Sequence, residues 1–143
     1  MGAPRIVVGL DGSESAAAAL RWAAGRAVND GETLRVLHVY DAGSGLRLRS
    51  HAMRTASESH ARARATAWVT EALGVGPQTA RIALEVVEGN PNRVLAWLSR
   101  QADVLVLGAP RGTAVRRILG SSVARTCSFR ASCPVVLVPG DRP

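Results

Sequence analysis

Apolar and polar positions along this chain switch between two periods, and the switches mark out its elements. Arg5-Ile6-Val7-Val8-Gly9-Leu10 is a short, β-branched run closed by Asp11-Gly12, which predicts a buried strand and a turn. Leu20, Trp22, Ala23, Ala27 and Val28 then supply an apolar helical face. Ser13 is placed to cap that helix, Glu14 falls in its first turn and Asp30-Gly31 ends it. Residues 33–40, "TLRVLHVY", read as a second strand broken by "DAGSG". Residues 41–50 read as a mobile loop, and a looser segment, 46–53, leads into a long helix that "GVGP" stops near Leu73. Residues 81–87 form a third strand, and Asn90-Pro91 supplies a cap and first-turn proline for "NRVLAWLSRQ". A fourth strand over 102–107, a last helix over 122–131 and a fifth strand over 134–138 complete the pattern.

Strands alternating with helices predict one α/β domain over residues 1–143, a parallel sheet with helices on both faces. Strands one, four and five are nearly continuous apolar runs, as expected where both faces are covered. Ligands of such sheets bind outside the carboxyl ends of the strands, where the strand order reverses. The candidate sites are therefore the turns "LDGSE", "YDAGSG", "EGNPN" and "GAPRG". A helix cap accounts for the third; the first and fourth are richer than a cap requires.

Composition narrows the chemistry. All eighteen positive charges are arginines, against eleven Asp plus Glu. The absence of lysine excludes a G-x-x-x-x-G-K-[ST] phosphate loop and Schiff-base catalysis. A net charge of +7 could serve nucleic acid. The arginines are nevertheless dispersed, and three Trp, one Tyr and one Phe offer few stacking platforms, so a solvated basic surface is the better reading. Cys127 and Cys133 have neither redox nor zinc spacing, and His38, His51 and His60 are scattered. No apolar run approaches the roughly 18 residues of a membrane span. No leader precedes the first strand, which makes the cytoplasm the expected location.

Asp11 has two readings: a crevice ligand for a ribose or base edge, or a turn aspartate bonded to its own backbone. "GAPRGTAVRRILGSS" combines three glycines, three arginines and two serines between a strand and a helix. Its amides and the amino end of that helix make an anion site, with Arg111, Arg116 or Arg117 to neutralise phosphate. The alternative is a connection in which Ser122 only caps a helix. No nucleophile–base constellation, paired carboxylates or G-x-S-x-G elbow is present. Glu85 and Glu88, on or beside the third strand, are expected to face solvent.

With these pieces in order, "IVVGLDGSESAAAALRWAA", "LRVLHVY", "ADVLVLGA" and "CPVVLVP", nearly the whole chain resembles the universal stress protein family, of the adenine-nucleotide-binding α/β group. The resemblance implies strand order 3-2-1-4-5, which brings the first and fourth turns together at the switch point of a Rossmann-like sheet. It places Gly9, Leu10 and Asp11 by the adenosine, the backbone of Val39 at the adenine, and Leu107 and Gly108 at the end of strand four. It also implies a G-x-x-G-x9-G-[ST] motif around ribose and phosphates, and Mg accompanying the phosphates.

The chain departs from that motif. Without gaps, Arg111 stands at the second glycine, Ser121 at the third and Ser122 at the hydroxyl, while Gly112 and Gly120 each lie one residue away. A deletion with a compensating insertion restores Gly120-Ser121 but shortens the loop. Arginine at a position requiring positive φ costs about 1 kcal/mol or more; its guanidinium could also replace lost amide contacts to phosphate.

The expected function is a cytoplasmic regulator that binds ATP or a related adenine nucleotide weakly between strands one and four. It acts through homodimerisation and an unknown protein partner, with at most slow ATP hydrolysis and no nucleic acid or membrane. The alternative is a nucleotide-free dimeric interaction module. Val135, Val136, Leu137 and Val138, an apolar edge bracketed by Pro134 and Pro139, are the expected dimer contacts; the resemblance implies the same.

Overall fold

The computed structural model describes residues 5–41, 50–74, 81–109 and 130–140. Within them, β1 (Ile6–Gly9), α1 (Glu14–Asp30), β2 (Thr33–Tyr40), α2 (His51–Leu73), β3 (Arg81–Glu88), α3 (Pro91–Leu98), β4 (Val104–Ala109) and β5 (Val135–Pro139) follow in chain order. A 3-10 turn, Ser99–Gln101, extends α3, so "SRQ" tightens rather than continuing the α-helix. All strand pairs are parallel, and the sheet order is β3-β2-β1-β4-β5, as the resemblance implies.

Caps set the helix ends. The Ser13 hydroxyl accepts from the Ala16 amide at 3.2 Å, and Gly31 closes α1 in the left-handed conformation, φ 69°. Ser50 caps α2 by accepting from the Met53 amide, so this helix starts inside the stretch expected to be loose. Asn90 caps α3 through the amides of Asn92 and Arg93, with Pro91 in the first turn. β4 begins and ends two residues later than its apolar run indicated. The last helix lies outside the described residues except for its end.

Strand side chains alternate between two cores. On one face, Ile6, Val8, Leu34, Val36 and Val106 pack under Ala19, Leu20, Ala23 and Ala27 of α1, with Trp68, Val69 and Leu73 of α2 at the margin. On the other, Val7, Leu37, Leu105 and Leu107 pack with Leu95 and Leu98 of α3. Helices thus cover both faces. The alanine face of α1 lets it approach closely. A Cβ on Gly108 would lie 2.5 Å from the Ala16 amide nitrogen and 2.6 Å from the Ser15 carbonyl oxygen.

β5 is less enclosed than its run of apolar residues implied. It is an edge strand, with Val135, Val136 and Val138 half-buried and Leu137 37% exposed. Glu85 does not simply face solvent: Arg35 donates to it through Nε at 3.1 Å and Nη2 at 3.0 Å, a two-pronged link between β2 and β3.

Candidate functional site

A crevice opens where β1 and β4 diverge, at the switch point of the sheet. Gly9, Leu10, Asp11, Ser13, Ala16, Leu37, Val39, Pro91, Leu95, Leu107 and Gly108 line it. With its open mouth it encloses about 570 Å³ of empty space. Gly9, Leu10, Asp11, Val39, Leu107 and Gly108, drawn from three strands, therefore border one space. Arg111, Gly112, Gly120, Ser121 and Ser122 lie outside the described residues.

Each wall has a local cause. β1 ends at Gly9, where a Cβ would come 2.7 Å from a methyl of Leu107, so a larger residue would push the Leu107 side chain aside. The chain then turns at Gly12, φ 86°, onto the ring of Trp68, which would lie 2.5 Å from any Cβ there. Positive φ and close approach both call for glycine. Asp11 is exposed at the rim, and its Oδ1 accepts from the Ser13 amide at 2.9 Å. The backbone-bonded reading of Asp11 is thus correct, and it coexists with a place on the crevice wall.

Sequence reasoning missed the floor and one flank. Leu37 and Leu95 belong to the core under α3, and Pro91 had been explained by its helix cap. The signal was the position of "EGNPN" at a strand's carboxyl end, the same location that marks the other turns. Ser13 and Ala16 bring the amino end of α1 to the crevice as well, adding the positive end of its dipole.

His38 was also passed over. It is buried beneath the crevice, with Nδ1 2.8 Å from the Leu10 carbonyl oxygen and its ring edge-on to Trp68 at 4.9 Å. A carbonyl only accepts, so Nδ1 carries the proton and donates. Burial holds the imidazole below its ordinary pKa, with Arg64 adding to this while the Leu10 carbonyl and Asp11 oppose it. Nε2 is buried with no hydrogen-bond partner among the described residues.

Among the described residues no group of three His, Cys, Asp or Glu could hold a metal ion, and no helix is long and apolar enough to cross a membrane. Cys133 is half-buried and burial raises its thiol pKa, away from a reactive thiolate.

Comparison with known proteins agrees with this fold. The model of the universal stress protein family matches residues 3–139. Universal stress proteins of Mycobacterium tuberculosis strains CDC 1551 and H37Rv are each 36% identical over 141 residues, covering 93% of this chain and 47% of theirs. The chain therefore spans about half the length of these relatives. A universal stress protein solved in complex with cAMP superposes with a TM-score of 0.67 at 23% identity, covering 98% of this chain and 100% of that one. One from Archaeoglobus fulgidus, in complex with dAMP, gives 0.62 at 21%, covering 96% and 99%. UspA from Lactobacillus plantarum gives 0.70 at 21%, again covering 96% and 99%. At these identities the solved structures establish the shared fold.

Proposed function

The chain belongs to the universal stress protein family, and from that premise we propose that it is a cytoplasmic regulator binding an adenine nucleotide, ATP above all, in the crevice between β1 and β4. The carrying observation is the convergence of Gly9, Leu10, Asp11, Val39, Leu107 and Gly108 on one crevice at the switch point. Structural relatives in complex with cAMP and dAMP support the adenylate class. Asp11 at the rim takes a ribose hydroxyl, the Val39 backbone takes the adenine edge, and the apolar floor of Leu37, Leu95 and Leu107 takes the ring face. The glycine- and arginine-rich segment that follows β4 takes the phosphates, with Mg if the ligand brings it. No described residue supplies an evident base for attacking water, so turnover is slow at most. The bound state is read out by dimerisation and by contact with another protein.

Isothermal calorimetry with ATP tests this on the parent, Asp11→Ala and Asp11→Asn. Asparagine keeps an oxygen for the Ser13 amide, which separates loss of the turn from loss of the ligand contact. A hydrogen bond to a charged group is worth about 1.5–3 kcal/mol, so both variants lose roughly tenfold or more in affinity. Parent affinity in both variants would move the site elsewhere. No binding by the parent would refute the nucleotide reading and favour the alternative, a dimeric interaction module without nucleotide.

A further inference from the structure

The crevice depends on a rung of the β1–β2 ladder that is not made. The register of the pair ends at Gly9↔Leu37. One more bond follows, from the Leu10 amide to the Leu37 carbonyl at 2.8 Å. Backbone groups of alternate β2 residues face the same neighbour. Leu37 faces β1, while the Tyr40 carbonyl faces the β3 side and accepts from Gly89 at 2.9 Å. Val39 therefore presents its amide and carbonyl toward β1, as Leu37 does. In a continued parallel ladder the Val39 amide would bond to the Leu10 carbonyl. Among the described residues that bond is absent, and Val39 lies on the crevice wall.

The His38 ring explains the missing rung. Its Nδ1 takes the Leu10 carbonyl at 2.8 Å. A carbonyl oxygen has two lone pairs, so the ring acts by direction rather than by saturation. His38 sits beside Trp68 on the α1–α2 side of the sheet, so its bond reaches the Leu10 oxygen from the sheet face, whereas a ladder bond from Val39 would reach it in the plane of the sheet. The chain beyond Leu10 then peels off β2 and turns at Gly12 over the same Trp68 ring.

We propose that His38 is the positioning residue that keeps the Val39 backbone edge unpaired, and thereby sets the preference of the crevice for adenine over guanine. This rests on the adenine-nucleotide reading above. An amide donor beside a carbonyl acceptor matches the N1 acceptor and N6 amino donor of adenine. Guanine presents the opposite pattern, an N1–H donor and an O6 acceptor, and is left with unmade bonds, the form of discrimination that buried polar groups make strong. His38 touches no ligand; it acts through Leu10.

Amide hydrogen exchange on the free protein tests the device without any nucleotide. The Val39 amide of the parent exchanges at least tenfold faster than that of Leu37. In His38→Phe, which keeps a ring and loses the donor, Val39 becomes protected as the rung closes. In His38→Asn, whose side-chain amide can replace Nδ1–H, Val39 stays fast. Binding of ATP and GTP is measured on the same proteins: His38→Phe loses at least tenfold in ATP affinity and its preference over GTP, and His38→Asn keeps both. If the Phe variant does not fold, the parent still decides, since a Val39 amide as protected as that of Leu37 overturns the proposal. Unchanged exchange and unchanged preference in a folded His38→Phe overturn it too. A parent that binds neither nucleotide refutes the adenine reading and the base preference with it, while exchange alone still shows whether His38 holds the rung open.

Discussion

Gly108 shows how little room separates the sheet from α1 at the mouth of the crevice. Its missing side chain lets the Ser15 and Ala16 backbone lie against β4, and the same turn of α1 contributes Ser13 and Ala16 to the crevice wall. A methyl group here meets backbone, which cannot rotate away as a side chain does. Gly108→Ala is therefore expected to cost about 1–3 kcal/mol, as overpacking does, and to weaken nucleotide binding by pushing α1 outward. Urea denaturation checks the first part through a lower midpoint at unchanged slope, and calorimetry checks the second. An unchanged midpoint would mean that α1 shifts without cost. Legibility in the sequence differs among these residues. The strand-ending position and small size of Gly108 marked it as a site residue, but the neighbour it admits is about ninety positions earlier in the chain. No local pattern carries that pairing.

At the scale of the element, β5 is the edge strand through which we propose that two copies pair. The Leu105 amide bonds to the Pro134 carbonyl at 3.0 Å in a register pairing Leu105 with Val135, so the backbone groups of Val136 and Val138 face β4. Those of Val135 and Leu137 face outward, and Pro139 has no amide to offer. An antiparallel pairing of two β5 strands about a twofold axis would use Val135 and Leu137, with the exposed Leu137 side chain at its centre. Leu137→Pro removes an outward donor at an edge, where proline is tolerated. It is expected to yield monomers by light scattering with an unchanged circular dichroism spectrum. Val136→Pro would instead break the bond within the protein's own sheet and lower its stability. A parent that is monomeric at micromolar concentration would refute the dimer. The sequence identified the apolar edge and its bracketing prolines; only the register shows which alternate amides face away from β4.

Across the whole molecule, the sheet order places a titratable ring in a dry setting. His38 lies 6% exposed on β2, a central strand, and burial, helped by Arg64 and opposed by the Leu10 carbonyl and Asp11, keeps its pKa below 6.5. The unfolded chain regains the ordinary value. Between 6.5 and the lowered folded value, the unfolded state binds the proton that the folded state refuses. Stability from this group is complete above pH 6.5 and declines as pH falls below it. Thermal unfolding of the parent is expected to lose Tm more steeply from about pH 7.5 to about pH 5.5 than that of His38→Asn, which cannot take up this proton. Parallel curves for the two proteins would show that the ring titrates alike in both states.

What the sequence by itself determined is the set of properties that act over a few residues. Apolar spacing separated strands from helices. Ser13, Asn90-Pro91 and Gly31 marked helix ends because caps and left-handed turns are chemistry between near neighbours. "LDGSE" and "GAPRG" stood out because strand ends with small and polar residues are local features too. The tertiary structure alone decided the long-range pairings: the Arg35–Glu85 link across 50 positions, the packing of Gly12 on Trp68, and the hold of His38 on Leu10 across 28. These follow from how a twisted sheet stacks strands that are far apart in the chain. A histidine in an apolar strand shows that something polar must answer it; which carbonyl does so, and which backbone edge is thereby left open, depends on where β1 parts from β2.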